Sequence, residues 1–320
     1  MTNAIKRPLY QTIEGLRIPS FFSPNCFKEA LTYKPSSNDV FIVTYPKCGT
    51  TWMQNIVLYI FRKGQELEDT KDFIRMCPHI EEVGLEGIER MTRPGAIKTH
   101  LPYNMMPYSP EAKYIFVARD PRDCCVSLYY HTRNNLKFGY WDGQFDEFFE
   151  LFMAGEVEFN DYYDHLLGLY PHRNDSQVFF TKYEDMKRNA KEVVVNLSRF
   201  LGQEYIDAIE KDNAVLNNIL RFSGFDYMKK KLSHLFGATS NESSEADASK
   251  EKDMTESEKY LENFVKSLNI PENPPQLEFL RKGCVGDWRN HFSPEQRDRF
   301  EAKFLERTKG TEIQEWYGTN

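Results

Sequence analysis

Residues 39–52, Asp-Val-Phe-Ile-Val-Thr-Tyr-Pro-Lys-Cys-Gly-Thr-Thr-Trp, decide how this chain folds. Asp39 to Tyr45 is a short apolar, β-branched run. Pro46 to Thr51 is a tight Gly-containing loop, and Trp52 to Phe61 is an apolar-rich stretch of helical length, so the order is buried strand, loop, helix. The pattern returns at Lys113 to Ala118, where Arg119-Asp120-Pro121 ends the strand and Pro121 suits the first turn of a helix running through Tyr130. A third strand is predicted at Gln177 to Thr181. After it, Met186, Ala190, Val193, Leu197 and Leu201 fall at helical spacing, with Gly202 as C-cap. Strands alternating with helices predict an α/β fold, a single domain whose central parallel sheet carries helices on both faces and binds ligands at the carboxyl ends of its strands.

Composition narrows the function. The chain has 320 residues, 40% hydrophobic and 28% charged, enough for one sizeable core, with no internal repeat or long Pro/Ser/Gly-rich linker to divide it. A net charge of −7 argues against nucleic acid as a partner, and Lys229 to Lys231 reads as a solvated helix face. No stretch approaches the ~18 apolar residues of a membrane span and the first fifteen lack an apolar leader, so a cytoplasmic protein is expected. The six cysteines, Cys26, Cys48, Cys77, Cys124, Cys125 and Cys284, lack metal-ligand spacing; most are expected to be reduced, buried thiols, and no metal is expected. Residues 238–258, rich in Ser, Glu, Asp and Lys, read as a mobile polar insertion or lid.

The first loop is where chemistry is expected. Gly49 and neighbouring N–H groups at a helix N-terminus, beside Lys47, Thr50 and Thr51, make an anion cradle for a nucleotide phosphate. It is not the Gly-Lys-Ser/Thr phosphate loop of kinases and ATPases, because Lys47 precedes Gly49. A capped structural turn is the competing reading of this segment taken alone.

Four ordered motifs carry a resemblance: TYPKCGTTW at 44–52, KTHLP at 98–102, RDPRD at 119–123 with Ser127, and RKGCVGDWRN at 281–290. FMAGEV at 152–157 and KYEDM at 182–186 are weaker echoes. Together, over roughly residues 40 to 305, they resemble the cytosolic sulfotransferases, in which the loop usually reads YPKSGTTW; Cys48 is the departure. The resemblance implies transfer of a sulfonate group from 3′-phosphoadenylyl sulfate (PAPS) to a hydroxyl or amine of a small phenolic, catechol, amine or steroid acceptor, leaving adenosine 3′,5′-bisphosphate (PAP).

It also assigns roles. Lys47 meets the bridging oxygen and 5′-phosphate, with Cys48, Gly49, Thr50 and Thr51 around the phosphate oxygens. Arg119 and Ser127, joined by Arg281, Lys282 and Gly283, take the 3′-phosphate. Trp52 and Phe225 stack on adenine, with Tyr183, Ser223 and Met228 beside it. His100, whose ordinary pKa near ~6.5 suits a base at neutral pH, takes the acceptor proton. Lys98 shares the His100 face of the strand and stabilises the transition state. Pro46, Phe21, Phe22, Phe138 and Tyr140 are the expected acceptor walls. A thiol at Cys48 donates a weaker hydrogen bond than a hydroxyl and exposes donor binding to oxidation. Residues 306–317 do not reproduce the C-terminal KxxxTVxxxE segment through which many family members pair; a homodimer is left open, but not through that segment. The competing functions are a nucleotide-dependent small-molecule kinase and a non-catalytic binding protein for a sulfonucleotide or small aromatic ligand.

Overall fold

In a computed structural model, residues 6–232, 254–270 and 280–317 are described. A two-stranded antiparallel hairpin comes first, β1 (Tyr10–Ile13) and β2 (Leu16–Pro19). The central sheet holds four parallel strands, β3 (Val40–Thr44), β4 (Ile97–Thr99), β5 (Lys113–Ala118) and β6 (Val178–Lys182), in the spatial order β4-β3-β5-β6. β3, β5 and β6 each lie within a residue of their sequence-predicted positions. The hairpin had no strong sequence signal, since neither strand exceeds four residues.

Alternation along the strands explains the layers. Phe41, Val43, Tyr114 and Phe116 enter one core, while Val40, Ile42, Ile115 and Val117 enter the other, so both faces of the sheet must be covered. One core is closed by the helices Thr50–Phe61, Ala190–Leu201 and Asn213–Phe222. The other is closed by Pro24–Thr32, Pro121–Asn134, Phe145–Met153 and Pro294–Arg307, and it joins Leu16 of the hairpin to Tyr317. Early and late segments thus share one core, as the single-domain α/β expectation requires.

The predicted helix after β6 is two helices, Tyr183–Arg188 and Ala190–Leu201. Asn189 breaks them: its side chain caps the second by accepting from Glu192 N–H. Gly202 does end that helix, though in extended backbone rather than a left-handed cap. The polar segment at 238–258 lies mostly outside the described residues. Its last part differs from expectation: Thr255 forms a capping box with Glu258 that starts the helix Glu256–Ser267. Among the described residues no helix is long and apolar enough to cross a membrane.

Candidate active site

The chain runs from β3 outward to β4, then returns across β3 to β5, so the order reverses between β3 and β5. Ligands collect at the carboxyl ends of strands at such a reversal. Four candidate residues stand just past strand ends there: Lys47 after β3, His100 after β4, Arg119 after β5 and Tyr183 after β6. All four line one cleft of about 1240 Å³.

The β3 loop is built for close approach of an anion. Lys47 and Gly49 both have left-handed backbone (φ 68° and 92°), and a Cβ on Gly49 would sit 2.7 Å from Tyr183. No side chain caps the helix Thr50–Phe61, so its first-turn N–H groups lack intrahelical partners and remain available. The strained Lys47 backbone is pinned from outside, its carbonyl accepting from Arg119 Nη1 at 2.8 Å. The Lys47 ammonium is buried, which pushes its pKa down to about 8 against the pull of Glu158.

His100 is held at three points. Its backbone N–H donates to Glu81 at 2.6 Å, and its Nδ1 lies 2.7 Å from the Thr44 carbonyl and 3.3 Å from the Thr44 hydroxyl. A carbonyl only accepts, so Nδ1 carries the proton of the neutral ring and Nε2 keeps the lone pair. Burial, together with Lys98 and His79, holds the imidazole well below its ordinary pKa. The ring is therefore neutral at physiological pH. Lys98 lines the same cleft, its ammonium also lowered by burial.

Arg119 staples the site. Nη1 takes the Lys47 carbonyl, Nη2 the Cys284 carbonyl at 3.3 Å, and the guanidinium lies 4.3 Å over the Tyr183 ring. No ion pair joins it to Asp123, which instead accepts from the N–H groups of Gly286 and Trp288 at 2.6 and 3.0 Å. Arg281 and Lys282 reach the cleft but are paired with Asp287 at 2.6 and 2.8 Å. Gly283 (φ 61°) passes so close to Phe225 that a Cβ would lie 2.6 Å from its ring. Trp52 meets Tyr183 edge-on at 5.6 Å, and Ser127, Thr50, Thr51, Phe225 and Met228 also line the cleft. Pro46, Phe21, Phe22 and Phe138 wall its other end.

Three expected residues are not in the cleft lining. Cys48 is 1% exposed and packs in the core, where the neighbouring Cys124 thiol donates to the Pro46 carbonyl at 3.2 Å, so its side chain is not part of the cleft wall. Ser223 is the C-cap residue of Asn213–Phe222, and its hydroxyl is spent on the Ile219 carbonyl at 2.7 Å. Tyr140 packs on Phe148 and donates to the Gln144 carbonyl. Its aromatic type suggested a wall, but its burial makes it core.

Other lining residues had no sequence signal. His79 packs edge-on against His100 at 5.0 Å, Phe159 packs on the same ring at 5.2 Å, and Glu82, Lys137 and Glu158 add charge. Helix Glu256–Ser267 crosses the cleft mouth, tied down by Tyr260 on the Ser20 carbonyl and Glu256 on Ser23.

A parallel α/β sheet with an anion cradle, three lysines or arginines and a neutral histidine at its carboxyl edge defines a protein that transfers or binds anionic nucleotide groups. The comparisons narrow this class. A family model described as sulfotransferase domain matches residues 37–266 and 242–312. Human sulfotransferase 1C2 is 30% identical over 88% of this chain and 87% of its own length, and rabbit (Oryctolagus cuniculus) amine sulfotransferase is 31% identical over 85% and 81%. The structure of mouse sulfotransferase SULT7A1 complexed with PAP, at 24% identity, aligns with a TM-score of 0.68 over 97% of each chain. A retinol dehydratase in complex with androsterone and PAP, at 20% identity, gives 0.65 over 95% of this chain and 90% of that one, showing the same fold. The chain belongs to the sulfotransferase family.

Proposed function

We propose that this protein is a cytoplasmic PAPS-dependent sulfotransferase acting on a hydroxyl or amine of a small molecule, with His100 as base and Lys47 and Lys98 as the stabilising cations. The observation that carries the reading is the convergence on one cleft of an uncapped helix N-terminus, Lys47, Lys98 and a His100 whose Nδ1 is committed to Thr44.

In this reading the N–H groups opening Thr50–Phe61 hold the 5′-phosphate and the sulfonate is presented towards the His100 end of the cleft. Nε2 of His100 takes the acceptor proton as the acceptor oxygen or nitrogen attacks sulfur, and the sulfur–oxygen bond to the nucleotide breaks. Negative charge then builds on the leaving phosphate, where Lys47 faces it, while Lys98 steadies the transferring sulfonate. Arg119, Ser127, Arg281 and Lys282 take the 3′-phosphate, the last two by exchanging Asp287 for the ligand. Trp52, Tyr183, Phe225 and Met228 hold the adenine. Phe21, Phe22, Phe138 and Phe159 make the acceptor end apolar.

A magnesium-dependent kinase fits less well. The acid that follows β5, Asp120, is spent on Arg122 at 2.8 Å and on its own helix cap. Thermal unfolding in the presence of nucleotides tests the donor: PAP should raise the midpoint by several degrees, whereas ATP with magnesium should not. Protection by ATP alone would overturn the reading.

A further inference from the structure

Glu158 is 4% exposed, yet it lines the catalytic cleft, and among the described residues nothing hydrogen-bonds its carboxylate. Its oxygens open on the cleft, so a ligand that fills the cleft without offering them a donor leaves them unpaired at a cost. The backbone around it is over-determined. Phe159 and Asn160 both have left-handed φ, 61° and 60°, a conformation costly for Phe and one that Asn tolerates better than most side chains. Three bonds hold the segment there. Phe159 N–H donates to the Arg17 carbonyl at 2.7 Å, Asn160 Oδ1 accepts from Arg17 N–H at 2.9 Å, and the Tyr45 hydroxyl donates to the Asn160 carbonyl at 2.8 Å. The fold thus spends strain to present Phe159 against His100 and the neighbouring carboxylate to the cleft.

The charged groups around Glu158 are Lys47, Lys98 and His79, with Glu82 and Lys137 further along the wall. Burial pushes the carboxyl up to about 7, and Lys47, Lys98 and His79 pull against that shift. This inference rests on the functional reading above, because a bound PAPS changes that balance: its anions engage Lys47 and set a sulfonate near the carboxylate. Glu158 is thereby pushed further towards its neutral form, whose carbonyl oxygen accepts a hydrogen bond that no described residue donates.

We propose that Glu158 is a specificity residue that binds a second N–H or O–H donor beside the acceptor's reacting atom, so that the protein favours acceptors with two adjacent donors at the reacting end. One donor loses its proton to His100 and the other remains bonded to Glu158. A vicinal hydroxyl and the second N–H of a primary amine both meet this requirement. An acceptor lacking the second donor leaves the carboxylate buried and unpaired, the arrangement by which sites discriminate most strongly.

The test uses two size-matched pairs in which the second donor is kept or blocked: catechol against 2-methoxyphenol, and aniline against N-methylaniline. Binding to the PAP-saturated protein is measured by calorimetry, and kcat/KM with PAPS is measured in parallel. The wild-type protein should favour the two-donor member of at least one pair by about tenfold or more, as expected when an enclosed acceptor is otherwise left without a donor; which pair shows it separates hydroxyl from amine acceptors. Glu158→Ala should bring the preference within about threefold, and Glu158→Gln, whose amide oxygen still accepts, should keep part of it. Equal affinity within both wild-type pairs overturns the proposal without needing a variant. So does Glu158→Ala that keeps the preference but weakens PAP binding, since Glu158 would then be only a counter-ion for Lys47. Selective binding without turnover would count against sulfonate transfer and leave this inference standing.

Discussion

At the residue scale, the site depends on how burial and neighbours set two ionisable groups apart. His100 is held neutral far below its ordinary pKa, so its readiness as a base is lost only in acid. Lys47 behaves oppositely. In the proposed reaction its ammonium must be charged to hold the anionic donor, and burial lowers its pKa to about 8. Below that value the cation is present; above it the unliganded site loses it. Donor affinity should therefore be full near pH 7 and fall as pH rises through about 8, as followed by calorimetry with PAP across pH 6.5–9.5. Lys47→Arg, which stays charged to much higher pH, should flatten that decline even if its fork fits the loop less well. A pH-independent wild-type affinity would show that Lys47 does not carry donor binding.

The sequence pointed to His100 and Lys47 because each stands in a motif beside a strand end. It did not show that Cys48, Ser223 and Tyr140 stand outside the cleft lining, since residue type does not reveal which way a side chain turns. Cys48 faces Cys124 and the core, and Ser223 bonds back to Ile219 four residues earlier, as hydroxyls in helices do. Glu158 escaped notice for a related reason. Its partners in the cleft, Lys47 and Lys98, lie far away in sequence, and only the strained turn at Phe159 and Asn160 brings them together.

Among elements, the strands were legible and the helices after them less so. β3 and β5 are apolar and β-branched because both of their faces are buried, and a two-sided run of that kind is hard to mistake. Periodicity alone cannot show a helix break, so Asn189 went unrecognised as a cap. The segment from Leu280 to Asn290 depends on a different device. Asp123 reaches across from Pro121–Asn134 to take the Gly286 and Trp288 N–H groups, and Asp287 gathers Arg281 and Lys282. Asp123→Ala leaves two N–H groups without their acceptor and should cost on the order of 2 kcal/mol in chemical denaturation. Since it also loosens the Arg281–Gly283 turn, PAP affinity should fall several-fold more than acceptor affinity. Unchanged PAP affinity with reduced stability would confine Asp123 to a structural role.

For the whole molecule, one sheet edge gathers residues from the ends of four strands, and two cores on opposite faces hold that edge in place. The order reversal between β3 and β5 puts the cleft where Lys47 and Arg119 meet. Helix Glu256–Ser267 roofs it through a few polar ties and the Phe21–Phe264 contact, with none of its residues buried, so the roof is the least anchored wall of the site. The central claim is that this edge transfers sulfonate with His100 as the base. The direct measurement is transfer of label from sulfur-labelled PAPS to a panel of phenols, catechols, amines and hydroxysteroids by wild-type protein and by His100→Ala, with PAP binding measured on both. The wild type should give labelled product from at least one acceptor class, His100→Ala should lose about 10²-fold or more, and PAP affinity should be equal in the two. Near-normal transfer by His100→Ala with PAP binding intact would contradict it.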